Sequence, residues 1–165
     1  MSAPLTTRPA TAADLEILCG FQQAMALETE GKRLDDAVLR RGLALALEDP
    51  AKGCYLLAER DGVPVGCAMW TREWSDWRGA WFWWFQSVFV EEDARRTGVF
   101  RALYEAVLER ARAEGDVCGV RLYVETENAG AQATYEALGM HPAHYRMYEL
   151  EFPPSGKSGG DRAST

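Results

Sequence analysis

The sequence lacks the features that mark several large classes of protein. Its longest apolar run, Trp81–Phe85, is far shorter than the roughly 20 residues that a membrane helix needs. The first eight residues contain no apolar signal core, so we expect a cytoplasmic protein rather than a secreted one. A net charge of −7 argues against a nucleic-acid partner, which usually requires a basic surface. We therefore expect no membrane and no nucleic acid among the partners.

Metal-ligand patterns are also missing. None of the four cysteines forms a CxxC pair, and only two histidines could join them as ligands. We expect no metal site and four buried, reduced thiols in a reducing compartment. The cysteines are Cys19, Cys54, Cys67 and Cys118.

What remains is the composition of an ordinary globular chain. Its 165 residues are 47% apolar and 26% charged, which predicts a single α/β domain over residues 1–152. Residues 153–165 are rich in Pro, Gly and Ser and are predicted to be a disordered tail. The acidic balance favours a cationic partner such as an amine.

Hydrophobic periodicity predicts the order β-α-α-β-β-β-α-β-α-β, a mixed sheet with helices on both faces. Strands are predicted at 5–9, 55–60, 63–70, 80–90, 117–125 and 145–152. Helices are predicted at about 11–27, 35–48, 98–114 and 128–139. Asp61-Gly62 is a hairpin turn signal, residues 28–31 a polar break, and residues 71–79 a polar, aromatic loop.

The most informative segment follows the strand at 80–90. There a basic loop leads into a helix at Gly98, and the free N–H groups of a helix's first turn form an anion site suited to a pyrophosphate. Arg95, Arg96 and Arg101 add positive charge, and Gly98 lets a ligand approach the backbone. The alternative is an ordinary strand-to-helix turn with solvated arginines. The segment contains neither a Walker loop nor a GxGxxG fingerprint.

Two motifs resemble those of the GNAT superfamily of N-acetyltransferases. Arg95-x-x-Gly98 is similar to the signature Q/R-x-x-G-x-G/A, although Phe100 stands where Gly or Ala is usual. The run Asn128-x-x-Ala-x-x-x-Tyr135-x-x-x-Gly-Met is similar to a second family motif further along the chain. The resemblance implies the acyl-CoA N-acyltransferase fold, with a mixed, mostly antiparallel sheet of about six to seven strands.

The resemblance also implies an activity and a binding site. The expected reaction transfers an acetyl group from acetyl-CoA to a primary amine of a small molecule or a protein. The residues that the resemblance assigns to CoA are Val88, Phe89, Val90, Arg95, Arg96, Thr97, Gly98, Val99, Phe100, Arg101, Asn128 and Tyr135.

Three of these residues carry specific roles in that interpretation. The backbones of Val88 and Val90 would hold the pantetheine arm, and Tyr135 would protonate the departing thiolate. Each of the three also has a purely structural interpretation, core packing. Asn128, which the resemblance places near the pantetheine, could instead serve as the N-cap of its helix.

The general base is assigned with less specificity. In the family the turn between the first two helices and the open end of the sheet line the acceptor pocket, which makes Glu28, Glu30, Glu73 and Asp76 candidates. Glu28 and Glu73 are preferred, against the alternative of solvated surface carboxylates. The predicted substrate-binding residues are Glu28, Glu73, Trp74, Asp76 and Gln86.

Two other functions compete with acetyl transfer. A non-catalytic acyl-CoA sensor or subunit would keep the same motifs. An interaction module would use the aromatic residues around 74–84 for assembly. The identity of the amine and the oligomeric state stay open, with a homodimer as one candidate.

Overall fold

Five strands and four α-helices are the main elements of residues 4–153, which the computed structural model describes. By their internal contacts, the described residues divide into two compact units, one up to Tyr123 and one from Val124. The first unit contains β1 Leu5–Pro9, α1 Leu15–Glu30, α2 Asp36–Glu48, β2 Cys54–Arg60, β3 Val63–Ser75, β4 Ala80–Val90, α3 Val99–Glu114 and β5 Val117–Leu122. The second contains α4, Ala129–Ala137. None of the helices within 4–153 is both long enough and apolar enough to cross a membrane.

The sheet has the order β1-β2-β3-β4-β5. All neighbouring pairs are antiparallel except β4 and β5, which are parallel. The predicted mixed, mostly antiparallel sheet is therefore confirmed, with five strands among the described residues instead of about six to seven.

The strand predicted at 145–152 is wrong. No strand is assigned to those residues in the structure. Strand preference depends on a neighbouring edge and a face to bury, and alternating apolar residues alone supply neither. The predicted tail, apart from Pro153, lies outside the described residues.

Helices cover both faces of the sheet, as predicted. Successive strand residues point to opposite faces, so Leu57 packs with α1 and α2 while Leu56 faces away from them. On this opposite face, Phe85 of β4 stacks on Tyr104 of α3, with ring centroids 5.4 Å apart. The stacked pair Trp70 and Trp83 lies on that face too, 5.0 Å apart.

A capping box of Thr11 and Asp14 precedes α1, at a 3₁₀ turn over Ala12–Asp14. The Asp14 carboxylate accepts hydrogen bonds from the backbone N–H and the hydroxyl of Thr11. Arg8 of β1 donates to the same carboxylate, and this hydrogen bond lowers the pKa of Asp14 to about 2.

The end of α1 differs from the prediction. The polar break expected at 28–31 is helical as far as Glu30, and Gly31 ends the helix with a left-handed φ of 62°. Thr29 Oγ1 donates to the carbonyl of Met25, so a polar residue is accommodated inside the last turn. Glu28 therefore lies on a helix and not in a turn.

The loop predicted at 71–79 is mostly strand. β3 continues to Ser75, and only residues 76–79 form the turn. Arg72 and Trp74 pair with Trp83 and Trp81 of β4, and the Trp74 and Trp81 rings lie 5.0 Å apart. Cross-strand contacts of this kind stabilise a strand that its polar composition does not predict. Conversely, β5 ends at Leu122 rather than at Glu125.

Candidate functional site

The two halves of β4 have different neighbours. β5 pairs with Trp81–Phe85 only, whereas β3 pairs with β4 along its whole length. Within residues 1–123 the half from Gln86 to Val90 is therefore paired on one edge alone. Backbone groups on the other edge are available to a ligand or to another segment of chain.

The direction of these groups follows from one hydrogen bond. The N–H of Glu91, directly after β4, donates to the carbonyl of Val65 at 2.9 Å, so it points toward β3. Because backbone direction alternates along a strand, the N–H groups of Val88 and Val90 point away from β3. Arg95 Nε lies 3.0 Å from the Val90 carbonyl oxygen, which agrees with this orientation. The Phe89 side chain, in contrast, is buried in the core against Phe21.

A bulge separates the two halves. Phe85 pairs with Trp70 and Ser87 with Met69, so Gln86 has no partner in the register. A bulge redirects side chains, and the exposed Gln86 amide donates to Thr71 Oγ1 at 2.7 Å.

The loop after β4 forms a pocket. A single 3₁₀ turn at Glu92–Ala94 leads to Gly98, the N-cap of α3. The pocket has a volume of about 320 Å³. Six residues that the sequence assigns to CoA line it: Val90, Arg95, Arg96, Gly98, Phe100 and Arg101.

The backbone of this turn is left-handed at two places. Arg96 has a φ of 63° and Gly98 a φ of 88°. Glycine adopts this conformation without strain, whereas a residue with a side chain pays an energetic cost that is tolerated mainly at functional sites. A Cβ added to Gly98 would meet no atom within 4 Å, so the space above this residue is open. The free N–H groups of the first turn of α3 begin here.

Two of the residues predicted to bind CoA, Thr97 and Val99, do not line the pocket. Thr97 Oγ1 donates to the carbonyl of Ala94 at 2.6 Å and accepts from Arg60 at 3.0 Å. Val99 is buried in the core.

The positive charges of the pocket have different partners. Arg95 pairs with Glu28 of α1 at 2.7 Å, and Arg101 with Glu105 of α3 at 2.9 Å. Arg96 forms no ion pair within residues 4–153.

Phe100, at the position where a small residue was expected, stacks on Tyr104, with ring centroids 6.2 Å apart. Burial raises the pKa of the Tyr104 hydroxyl.

Glu73, the second candidate base, lies on β3. Its carboxylate accepts hydrogen bonds from Trp84 Nε1 and, at 3.0 Å, from Arg121 Nη1. The Arg121 guanidinium also lies 3.5 Å from the centre of the Phe82 ring. Sequence reasoning missed Arg121, because no local spacing connects a residue of β5 to one of β3.

The remaining candidates of the first unit lie near the turn between β3 and β4. The Asp76 carboxylate accepts from the N–H of Trp77 at 2.9 Å, which is a local turn contact. Trp74 is half exposed. The ion pairs of Glu28 and Glu73 are made with different arginines, so no shared partner joins these two carboxylates.

In the second unit Asn128 is the N-cap of α4, and its side chain accepts from the N–H of Ala131 at 3.0 Å. The structural interpretation of Asn128 is thus present, and it is compatible with a ligand role. Tyr135 is half-buried on the same helix, and its carbonyl accepts from the N–H of Met140 at 3.1 Å.

Solved structures with this fold include several acetyltransferases. A possible acetyltransferase from Clostridium difficile 630 is 41% identical, covers 90% of this chain and 98% of its own, and has a TM-score of 0.85. A ribosomal-protein-alanine N-acetyltransferase from Brucella melitensis biovar Abortus 2308 is 19% identical over 91% of this chain and 100% of its own, with a TM-score of 0.73. An aminoglycoside N-acetyltransferase, AAC(6')-Iy, in complex with CoA is 18% identical over 92% and 97% of the two chains, with a TM-score of 0.75.

No curated protein matches the sequence. The model of the acetyltransferase (GNAT) family matches residues 18–140, which is most of the chain. The chain belongs to the GNAT acetyltransferase family. This GNAT protein has the expected fold, and its family indicates an acyltransferase.

Proposed function

We propose that this GNAT protein transfers an acetyl group from acetyl-CoA to a primary amine. The observation that carries the proposal is the position of the arginine-lined pocket directly after the singly paired half of β4. The anion site matches the diphosphate of CoA, and the unpaired strand edge matches its amide-containing arm.

The described residues fit that donor. The pocket offers arginine charge and the N–H groups at the start of α3 to the diphosphate. Open space at Gly98 leaves room for it. The outward N–H groups of Val88 and Val90 can pair with an extended arm as an added strand does. When bound, the donor supplies an activated thioester.

Three groups of the chain would then act on the reaction. An N–H group of Val88 or Val90 polarises the thioester oxygen. The Tyr135 hydroxyl donates a proton to the departing thiolate. Glu73 receives the proton of the amine, directly or through water, since an amine with a pKa near 10.4 is mostly protonated at neutral pH. Arg121 and Trp84 hold the Glu73 carboxylate in place.

The acceptor is proposed to be a primary amine on a small molecule or a protein. Trp74, Asp76 and Gln86 are the further residues proposed to contact it. A panel of amines, tested for thiol release from acetyl-CoA, measures this directly. CoA binding without thiol release from any amine would favour a non-catalytic sensor, and the absence of CoA binding would favour an interaction module.

Replacing Tyr135 tests the proposed chemistry. We expect Tyr135→Phe to lower kcat by about 10²-fold, because a general acid contributes on that scale. The Kd for CoA, measured by calorimetry, should stay within about twofold, because the ring is retained. Tyr145→Phe is the control, since Tyr145 is exposed and lies outside the motif. Full activity of Tyr135→Phe would remove this hydroxyl from the mechanism.

A further inference from the structure

One ion pair connects the anion pocket to a distant part of the chain. Arg95 Nη2 donates to Glu28 Oε1 at 2.9 Å and to Glu28 Oε2 at 2.7 Å. Glu28 lies in the last turn of α1, and Arg95 lines the pocket before α3. The pair therefore joins two elements that are far apart in sequence.

Arg95 is held at a second point as well. Its Nε donates to the carbonyl of Val90, the last residue of β4. With Nε and Nη2 engaged, Nη1 keeps its hydrogens for a ligand, since it has no hydrogen-bond partner within residues 4–153. A planar guanidinium fixed at two corners has little rotational freedom left.

The other two arginines of the pocket are held differently. Arg101 pairs with Glu105 one turn further along its own helix, and Arg96 forms no ion pair in residues 4–153. Arg95 is thus the pocket arginine that another element of the fold orients. An arginine ordered before binding loses less conformational entropy when the ligand arrives, which raises affinity.

We infer that Glu28 is a positioning residue that orients Arg95 for the diphosphate of the acyl donor and is not the group that takes the proton of the amine. Both Glu28 oxygens accept hydrogen bonds from one guanidinium, that of Arg95, which lines the anion pocket, whereas the Glu73 carboxylate is held by Arg121 and Trp84 of the sheet. The inference rests on the proposed function, because it needs a donor that carries a diphosphate.

The direction of the change in CoA affinity when Glu28 is replaced distinguishes a positioning role from a simple electrostatic effect. Removing a negative charge beside an anion pocket should strengthen the binding of an anion. Loss of a positioning contact should weaken it. We expect Glu28→Gln to raise the Kd for CoA and the KM for acetyl-CoA by about threefold to tenfold, the effect of ordering one long side chain. The kcat and its pH profile should be unchanged.

A donor without the diphosphate sharpens the test. With S-acetylpantetheine, wild type and Glu28→Gln should have equal kcat/KM, because Arg95 then has no ligand to meet. Glu30→Gln is the matched control: it removes the same charge from the same helix turn, and Glu30 pairs with Lys32 outside the pocket. Its constants for CoA should equal those of wild type.

Several results would overturn the inference. Unchanged or tighter CoA binding by Glu28→Gln would show that Glu28 does not position Arg95. A lower kcat with an altered pH profile and normal CoA affinity would assign the role of base to Glu28. Failure of the wild-type protein to bind CoA would reject the proposed function itself, which the wild-type baseline reveals before any variant is compared.

Discussion

The first and second halves of β4 share one strand but have different physical roles. Residues 81–85 pair with strands on both sides in a dense set of aromatic contacts, and within residues 4–123 residues 86–90 pair on one side and lead into the arginine-lined pocket. The first half buries apolar surface, which stabilises the fold. Within residues 4–123 the second half leaves backbone groups unpaired, which costs stability and makes recognition possible. The difference suggests that fold stability and donor binding can be changed separately within eleven residues.

The boundary between the halves has two structural causes. β5 pairs with β4 no further than Phe85, and the bulge beside Gln86 lies at the next residue. A strand that loses its neighbour and bulges at the same place changes both its twist and the direction of its side chains. Substitutions before this boundary should therefore change mainly the stability of the fold, and substitutions after it mainly the binding of the donor.

The largest effect is expected from the paired half. Trp83 is 1% exposed and stacks on Trp70, so Trp83→Ala should lower the free energy of unfolding by about 3–5 kcal/mol. Urea unfolding measures this change. Trp77→Ala is the control: Trp77 is 91% exposed, and its replacement should change stability by about 0.5 kcal/mol or less.

The same variant also tests whether the halves are independent. Below its unfolding transition, Trp83→Ala should bind CoA within about twofold of wild type, since the cavity lies in the paired half. A large loss of CoA affinity in the folded variant would show that the first half of β4 determines the geometry of the second half. The two halves would then not be independent.

The second-largest effect is expected at the pocket that follows the second half of β4. Gly98→Glu should raise the Kd for CoA by about 100-fold or more, because a like charge placed against the diphosphate costs several kcal/mol. Gly115→Glu is a matched control at the other end of α3. Both glycines are left-handed, with φ of 88° and 81°, and neither has an atom within 4 Å of an added Cβ. Calorimetry with CoA compares the two.

Because the backbone strain is shared, both variants should lose similar stability, about 1–2 kcal/mol for a left-handed residue that bears a side chain. The expected difference lies in binding alone. Equal CoA affinities for the two variants would mean that the anion site is not at the start of α3.

Local signals predicted much of this architecture. The bounds of β1 and β4, the capping box of Thr11 and Asp14, and the glycine that opens α3 were all predictable from neighbouring residues. These features depend on turn chemistry, helix caps and short-range periodicity, which a single stretch of sequence contains. The residues that line the pocket were predictable for the same reason, since five of the six lie within residues 95–101 and Val90 ends the strand before them.

Features that depend on distant partners were not predictable. The extension of β3 to Ser75 requires the cross-strand contacts of Trp74, and the strand predicted at 145–152 does not form. The partners of Glu28 and Glu73 lie 67 and 48 residues away, in Arg95 and Arg121. No spacing rule reaches that far, so the roles of both carboxylates become arguable only in three dimensions.

The smallest expected effect tests the direction of the backbone N–H groups in the second half of β4, residues 86–90. Val88→Pro removes an N–H that points away from β3, whereas Ser87→Pro removes one that points toward β3 and its ladder. Both prolines strain the strand, but only Ser87→Pro also breaks a hydrogen bond of the sheet. Urea unfolding should therefore find Ser87→Pro less stable than Val88→Pro by about 1 kcal/mol. The KM for acetyl-CoA should move in the opposite sense and rise more for Val88→Pro, because that N–H is the one proposed to bind the donor. Equal stabilities together with equal KM values would mean that the N–H groups of Ser87 and Val88 do not differ in direction as inferred. The pantetheine arm would then have to bind elsewhere.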